Sequence, residues 1–288
     1  MNDESKEFHV CKKSDLKDGE MKNFKVDGKD ILLSRYKGEF SATGAYCRHY
    51  GAPLEDGVLS DERIVCPWHH AQFHWEDGDL LEPPSLDALV SRRLIIEGDD
   101  IIVRLPKKHF QGRKPVMAKQ NIGNDKRTFA IIGGGAAGYA AAQAMREDGY
   151  EGRIVVITKE KVTPYDRPAL SKNYLEGAAE PEALPLRKDN FYEEYHIDFM
   201  HDTVVESVDK AAREIDFEGG GTLAYNRLLI ATGGIPRTLD LPGKDLDGIF
   251  TLRSRDDCEK IIKADEKAEK IAVVGASFIA MEVACSLK

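Results

Sequence analysis

The sequence predicts a two-part protein, a small all-β domain followed by an incomplete doubly wound α/β domain. Three observations carry this reading. Up to about residue 105, short apolar stretches are separated by Asp-Gly and Gly-Asp turn pairs. From Thr128 the pattern becomes strand, glycine turn, Ala-rich helix and a second, fully apolar strand. The same strand–turn–helix pattern returns at Lys270.

In the first part, Asp30–Ser34, Arg63–Cys66, Leu94–Ile96 and Asp100–Leu105 read as strands. Asp27-Gly28, Asp56-Gly57, Asp77-Gly78 and Gly98-Asp99 supply turns between them. Residues 1–105 therefore form the all-β domain. Residues 106–126 carry Pro, Gly, Asn and scattered Lys and Arg without an apolar period, and read as a solvated linker. Fully extended, such a segment reaches roughly 60–70 Å. FAIIGGGAAGYAAAQAMRE and RIVVIT (153–158) make a parallel strand–helix–strand unit. RLLIATGG (227–234) is a further strand, and a helix is expected over Asp256–Glu266. KIAVVGASFIAMEVACSL (270–287) then repeats the opening pattern, with a strand expected before Gly275. The divisions are 127–255 for the first part of a dinucleotide-binding domain and 256–288 for the start of a second one.

The net charge of −9 argues against nucleic acid as a general partner. No apolar run approaches the ~18 residues of a membrane span. The start, MNDESKEFHV, has neither an apolar signal core nor an Arg-rich amphipathic pattern, so a cytoplasmic location is the default. Five cysteines, sparse and odd in number, suggest a metal site more than a disulfide framework. Cys11, Cys258 and Cys285 read as ordinary thiols and His74 as a polar surface residue.

The most informative constellation is Cys47-Arg48-His49 and, after sixteen intervening residues, Cys66-Pro67-Trp68-His69. Each loop offers one thiolate and one imidazole. A [2Fe–2S] cluster of the Rieske type needs that mixture, with two sulfurs on one iron and two nitrogens on the other. A structural zinc site could use the same four residues, although zinc sites usually pair like ligands at short spacing. Two chance Cys/His pairs in loops remain the bland alternative.

CRHYGAPL and CPWHHAQF resemble the ferredoxin-type Rieske signature at nearly every position. The resemblance makes His69, not His70, the fourth ligand after Cys47, His49 and Cys66. His70 stands where that family has Gly, so an unusual backbone is expected there, one that histidine tolerates better than most residues. Ala52 and Trp68 occupy the positions of the cross-linking disulfide of high-potential members. The expected potential therefore lies in the lower part of the Rieske range, roughly −150 to +300 mV.

Gly133-Gly134-Gly135-Ala136-Ala137-Gly138 is a G-x-G-x-x-G turn between strand and helix. Gly133 allows the tight turn, Gly135 a close approach to a pyrophosphate, and Gly138 helix–strand packing. The backbone of Ala136 and Ala137 opens the helix N-terminus toward the phosphates. Glu160, preceded by Lys159, is the candidate ribose contact. TPYDRPALSK (163–172) resembles a segment of the flavin reductases that feed ferredoxins and of apoptosis-inducing-factor proteins, which implies that Arg167 and Lys172 approach an FAD. ATGGIPR (231–237) resembles the second FAD motif of that family and adds Thr232, Gly233 and Arg237; Val204 is a further flavin-binding candidate. Pro-rich turns and strand-end glycines also have purely structural uses. Gly275-Ala276-Ser277-Phe278-Ile279-Ala280 matches the start of the family's NAD(P)H-binding insertion, with only the first glycine kept. Glu282 aligns with a carboxylate that pairs with the lysine equivalent to Lys172, which makes these two the catalytic candidates. A core-facing or solvated glutamate is equally open.

The whole order resembles the Rieske-containing apoptosis-inducing-factor-like flavoproteins. That resemblance implies electron flow from NAD(P)H through FAD to the [2Fe–2S] cluster and on to an acceptor protein or small molecule, and some relatives are associated with mitochondria. Members of the family continue beyond this chain, so the flavin half is expected to be weak, partner-dependent or aggregation-prone. The alternative is a Rieske electron carrier with a vestigial flavin domain. A Rieske oxygenase is disfavoured because no 2-His-1-carboxylate site is visible.

Overall fold

A computed structural model describes residues 5–107, 112–188 and 190–288. It divides at Val116/Met117 into two compact units. The strands of the first unit are β1 (Lys6–Lys12), β2 (Met21–Val26), β3 (Lys29–Tyr36), β4 (Glu39–Gly44), β5 (Val58–Ser60) and β6 (Arg63–Val65). β7 (Gln72–His74), β8 (Leu80–Glu82), β9 (Ala88–Leu89), β10 (Arg93–Glu97), β11 (Asp100–Leu105) and β12 (Gly112–Arg113) complete it. All their pairings are antiparallel, in sheets ordered β1-β11-β10, β2-β3-β4 and β5-β6-β7-β8, with a short β9-β12 ladder.

β3 explains why the centre of DILLS, Ile31 to Leu33, is a continuous apolar run instead of alternating. Successive side chains point to opposite faces of a strand, and both faces of β3 are covered. Ile31 and Leu33 pack with Cys11, Leu16, Val26, Ala42, Ile101 and Val103. Leu32 packs on the other side with Met21, Ala45, Leu54, Ile64 and Phe73, the cluster that also holds Cys47 and Cys66. The two candidate thiols are therefore part of a hydrophobic core.

The hairpin turns split into those with and without a sequence signal. Asp27-Gly28 (φ 50° and 74°) joins β2 to β3 with both residues left-handed, as a two-residue I′ turn requires. Asp61-Glu62 does the same between β5 and β6 (φ 50° and 63°) without any glycine. Asp56-Gly57, expected as a turn of this kind, is instead the end of a 3-10 turn, with Gly57 at φ −86°. Glycine is needed there for space, since a Cβ would lie 2.3 Å from the Val65 carbonyl oxygen.

In the second unit, β13 (Thr128–Ile132), α1 (Ala136–Glu147) and β14 (Arg153–Ile157) form the expected parallel crossover. α2 (Phe191–Glu194) precedes β15 (Ile197–Met200). β16 (Val205–Asp209), β17 (Glu214–Phe217) and β18 (Thr222–Ala224) make a small antiparallel sheet. β19 (Arg227–Ile230) returns to the parallel sheet, whose order is β15-β14-β13-β19. α3 (Arg255–Asp265) and α4 (Phe278–Ser286) follow.

Two further expectations need correction. The stretch read as a linker is partly taken up by each unit. Gly112–Arg113 pair with β9, while the Ala118 and Asn121 N–H groups donate to the Arg146 and Glu151 carbonyls. The strand expected before Gly275 does not form; residues 270–276 carry no strand or bridge, and Val274 is 79% exposed. A strand satisfies its N–H and C=O groups only through a neighbour, and no described strand pairs with this segment. Ile230, at the end of edge strand β19, is likewise 66% exposed. Among the described residues no helix is long and apolar enough to cross a membrane.

Candidate functional site

Cys47 and Cys66 open two loops with the same hydrogen-bond frame. The Cys47 N–H donates to Ala52 O (2.9 Å), and the Gly51 N–H donates back to Cys47 O (3.0 Å). In the second loop the Cys66 N–H donates to Ala71 O (2.9 Å), and the His70 N–H donates back to Cys66 O (3.2 Å). The matching frames place Gly51 opposite His70, and both are left-handed, at φ 77° and 62°. The unusual backbone expected at His70 is therefore present. The frames differ in where the histidine falls, two residues after Cys47 but three after Cys66.

That offset brings the imidazoles together. The Nδ1 atoms of His49 and His69 face one another at 3.2 Å, with the rings nearly perpendicular. The thiols of Cys47 and Cys66 are 1% and 2% exposed, unpaired by any disulfide, and close enough to hydrogen-bond. Burial pushes the Cys47 thiol up to about 11, opposed by backbone N–H donors from His49 and Tyr50. Among the described residues no three His, Cys, Asp or Glu side chains gather about one point. The four residues here fall into a buried sulfur pair and a more exposed nitrogen pair. Two irons, each taking two protein ligands of one kind, ask for that split.

The glycine turn after β13 is built by steric need. Gly133 has φ 118°, and a Cβ on it would lie 2.2 Å from Ala231 O, where the end of β19 passes beneath. A Cβ on Gly138 would lie 1.9 Å from Gly133 O. Gly135 is different: its only near neighbour is Arg167 Nη2 at 4.0 Å from the Cβ position. The first turn of α1, with Ala136 and Ala137 exposed, thus stays open, with a guanidinium facing it.

Glu160 sits beside this opening. It accepts hydrogen bonds from Tyr165 Oη (2.6 Å) and from Arg167 Nη2. Burial, and then the hydrogen bond to Glu160, raises the Tyr165 phenol well above its ordinary range. Arg167 Nη1 also donates to Arg253 O (2.7 Å), and Arg253 Nε to Gly234 O (3.2 Å). Arg253, which sequence reasoning did not single out, therefore links the two FAD-like motifs; an arginine twenty residues past a glycine pair carries no signal of its own. Thr232, Gly233 and Arg237 lie on the exposed segment after β19, and Val204 is half-exposed just before β16.

Lys172 and Glu282 come together as the resemblance implied. Lys172 Nζ is 3.0 Å from Glu282 Oε2, which also accepts from Ser171 Oγ at 2.6 Å. The Ser171 hydroxyl and then the Lys172 ammonium hold the Glu282 carboxyl below the usual range. Ser286 Oγ of the same helix donates to Ser171 O (2.9 Å), so α4 is tied to the Arg167–Ser171 turn at two points.

Residues 127–288 match the family described as "Pyridine nucleotide-disulphide oxidoreductase". The chain belongs to that family. Residues 6–93 match the "Rieske [2Fe-2S] domain", so the chain carries a Rieske-type domain ahead of its dinucleotide fold. Human "Apoptosis-inducing factor 3" is 39% identical over 287 residues, covering 98% of this chain and 47% of that protein. The "Biphenyl dioxygenase system ferredoxin--NAD(+) reductase component" of Paraburkholderia xenovorans (strain LB400) is 41% identical over 161 residues, covering 56% of this chain and 39% of that protein. The ferredoxin reductase for the CYP199A2 system from Rhodopseudomonas palustris superposes with a TM-score of 0.53 at 33% identity, covering 56% and 40% of the two chains. The chain thus combines a Rieske domain with a family member of the apoptosis-inducing-factor-like kind, and it spans about half the length of the curated relatives it matches.

Proposed function

We propose that this oxidoreductase moves electrons from NAD(P)H through FAD to a Rieske centre held by Cys47, His49, Cys66 and His69, and on to a redox acceptor. The observation that carries the proposal is the pairing of donors, two buried thiols and two facing Nδ1 atoms, in the same chain as a dinucleotide turn. When bound, FAD accepts a hydride and the [2Fe–2S] group carries single electrons.

The residues have separable tasks. Cys47 and Cys66 keep the sulfur ligands in a dry core, and the backbone N–H groups of His49 and Tyr50 stabilise negative charge on the Cys47 sulfur. His49 and His69 bring the nitrogen side toward the surface. The open N-terminus of α1 and the Arg167 guanidinium suit a pyrophosphate. Each Glu160 oxygen accepts one hydrogen bond here and keeps a lone pair for a ribose hydroxyl. Lys172, held by Glu282, would offer its positive charge to the anionic reduced form of a flavin bound beside it. Relatives are named as ferredoxin--NAD(+) reductase components; in this chain the fused Rieske domain takes the ferredoxin's part.

The test is spectroscopic. Full-length chain is reconstituted anaerobically with iron, sulfide and FAD, then treated with NADH. Flavin bleaching followed by a rhombic, low-g EPR signal supports the reductase. A cluster signal with dithionite but no bound flavin supports the carrier reading, which the unpaired, exposed residues 270–275 favour. Zinc in place of iron defeats both.

A further inference from the structure

The backbone N–H of Tyr50 faces the Cys47 sulfur; its side chain has no assigned task, yet it makes the closest ring contact of the site. Its ring lies flat on the His49 imidazole, with centroids 4.0 Å apart and planes 16° apart, and meets His69 edge-on at 5.5 Å and 82°. Trp68 meets His69 edge-on from another direction, at 6.5 Å and 86°. Tyr50 remains 47% exposed and Trp68 54%. Rings that stay half in solvent gain little from burial themselves, so the stacking is not a by-product of core packing. What it does is remove water from one face of the His49 ring.

We infer that Tyr50 is a positioning residue that fixes the His49 imidazole plane and shields it from water, and thereby lowers the reduction potential of the centre. The inference rests on the ligand assignment proposed above. Its sign follows from charge. Two ferric ions, two sulfides, two thiolates and two neutral imidazoles sum to zero, and one electron makes the sum −1. Water stabilises the charged form more than the neutral one, so exposure favours reduction. A stacked ring on a surface-facing ligand works against it. The effect belongs to the ring and not to the phenol hydroxyl.

The test compares wild type with Tyr50→Phe, Tyr50→Trp and Tyr50→Leu, each as full chain loaded anaerobically. Midpoint potentials come from EPR-monitored titration, and water access from deuterium modulation of the reduced signal in D2O. Phe and Trp are expected to keep the wild-type potential and modulation. Leu is expected to raise the potential and deepen the modulation. Leu at the wild-type potential overturns the inference, and so does Phe shifting as far as Leu. Should Leu fail to retain iron, Tyr50→Met fills a similar volume without a ring and is judged by the same two results. Wild type lacking a Rieske signal is a distinct failure, that of the ligand assignment, and removes the inference with it.

Discussion

Gly138→Ala sets local preference against tertiary packing with opposite signs. In a helix interior, Ala is favoured over Gly by about 1 kcal/mol, so from α1 alone the substitution stabilises. The fold says otherwise. The new Cβ would stand 1.9 Å from Gly133 O, 3.1 Å from Gly133 C and 3.3 Å from Ile131 Cγ2. The two nearest contacts are backbone and cannot swing aside. An ordinary C···O approach is about 3.3 Å, so α1 must withdraw by roughly 1.4 Å. Overpacking of this kind costs typically ~1–3 kcal/mol, which leaves a net loss of up to about 2 kcal/mol after the helix gain. The withdrawal also carries the open N-terminus of α1 away from its ligand. FAD affinity is expected to fall at least about tenfold, the equivalent of ~1.4 kcal/mol. Flavin fluorescence titration measures the affinity, and hydrogen exchange in β13 and α1 measures the local stability apart from the first unit. Gly149→Ala is the control, because it has a positive φ of 83° but open space around the Cβ position. It is expected to lose stability without a matching loss of flavin. Gly138→Ala with unchanged affinity and slower exchange would refute the packing argument.

Three further outcomes follow from the same geometry. His70 at φ 62° bears the cost of a left-handed residue, about 1–2 kcal/mol for a side chain without local support. His70→Gly should keep or raise the unfolding midpoint of the first unit, and the β-branched His70→Val should lower it. Both tryptophans, Trp68 and Trp75, lie in that unit, so intrinsic fluorescence reports it alone. The Cys47 thiol, pushed up to about 11 from an ordinary 9.0, stays protonated at pH 8. In the iron-free chain iodoacetamide should label the exposed Cys285 there and leave Cys47 unmodified. A raised pKa on an acid that is neutral when protonated means the fold binds the proton more tightly than the unfolded chain does. Stability of the iron-free first unit is full below pH 9 and falls between pH 9 and 11. A fluorescence midpoint that rises over that window contradicts the assignment. Glu282→Gln removes the charge that faces Lys172, and α4 should loosen by about 0.5–1 kcal/mol given the half-exposed lysine. Exchange rates of the α4 amides equal to wild type would show that the pair does not hold the helix.

What could be read beforehand divides by the range of the interaction. The two matching Cys/His loops, the left-handed His70, the Asp27-Gly28 hairpin and the β13–α1–β14 crossover each carry their cause within a few residues, and each was legible. Asp61-Glu62 makes a turn without a glycine because β5 and β6 pair around it, and its two residues gave no hint. Arg146 is the clearest case of an illegible residue. In sequence it is a polar residue near a helix end. In the fold it is fully buried, and its guanidinium donates to the carbonyl oxygens of Tyr150, Gly152, Tyr195 and His196. Carbonyls belong to every residue, so nothing in the composition of 150–152 or 195–196 announces that an arginine will join them.

The two nucleotide-type turns show why the second half of the chain was only partly readable. Both follow four consecutive apolar residues and both begin with glycine in the same region of backbone space, Gly133 at φ 118° and Gly275 at φ 130°. Both lead into a helix. A helix satisfies its own N–H and C=O groups, and a glycine turn needs only its own torsions, so these parts form from local sequence at either position. The strand does not. Phe129–Ile132 pair on one side with β14 and on the other with β19, while 270–274 have the same apolar character and no partner among the described residues. Periodicity identifies which residues want to be a strand; it cannot say whether an edge is there to receive them. The Gly275 turn and α4 are thus already shaped, while 270–274 stay unpaired and exposed for want of a neighbouring strand among the described residues.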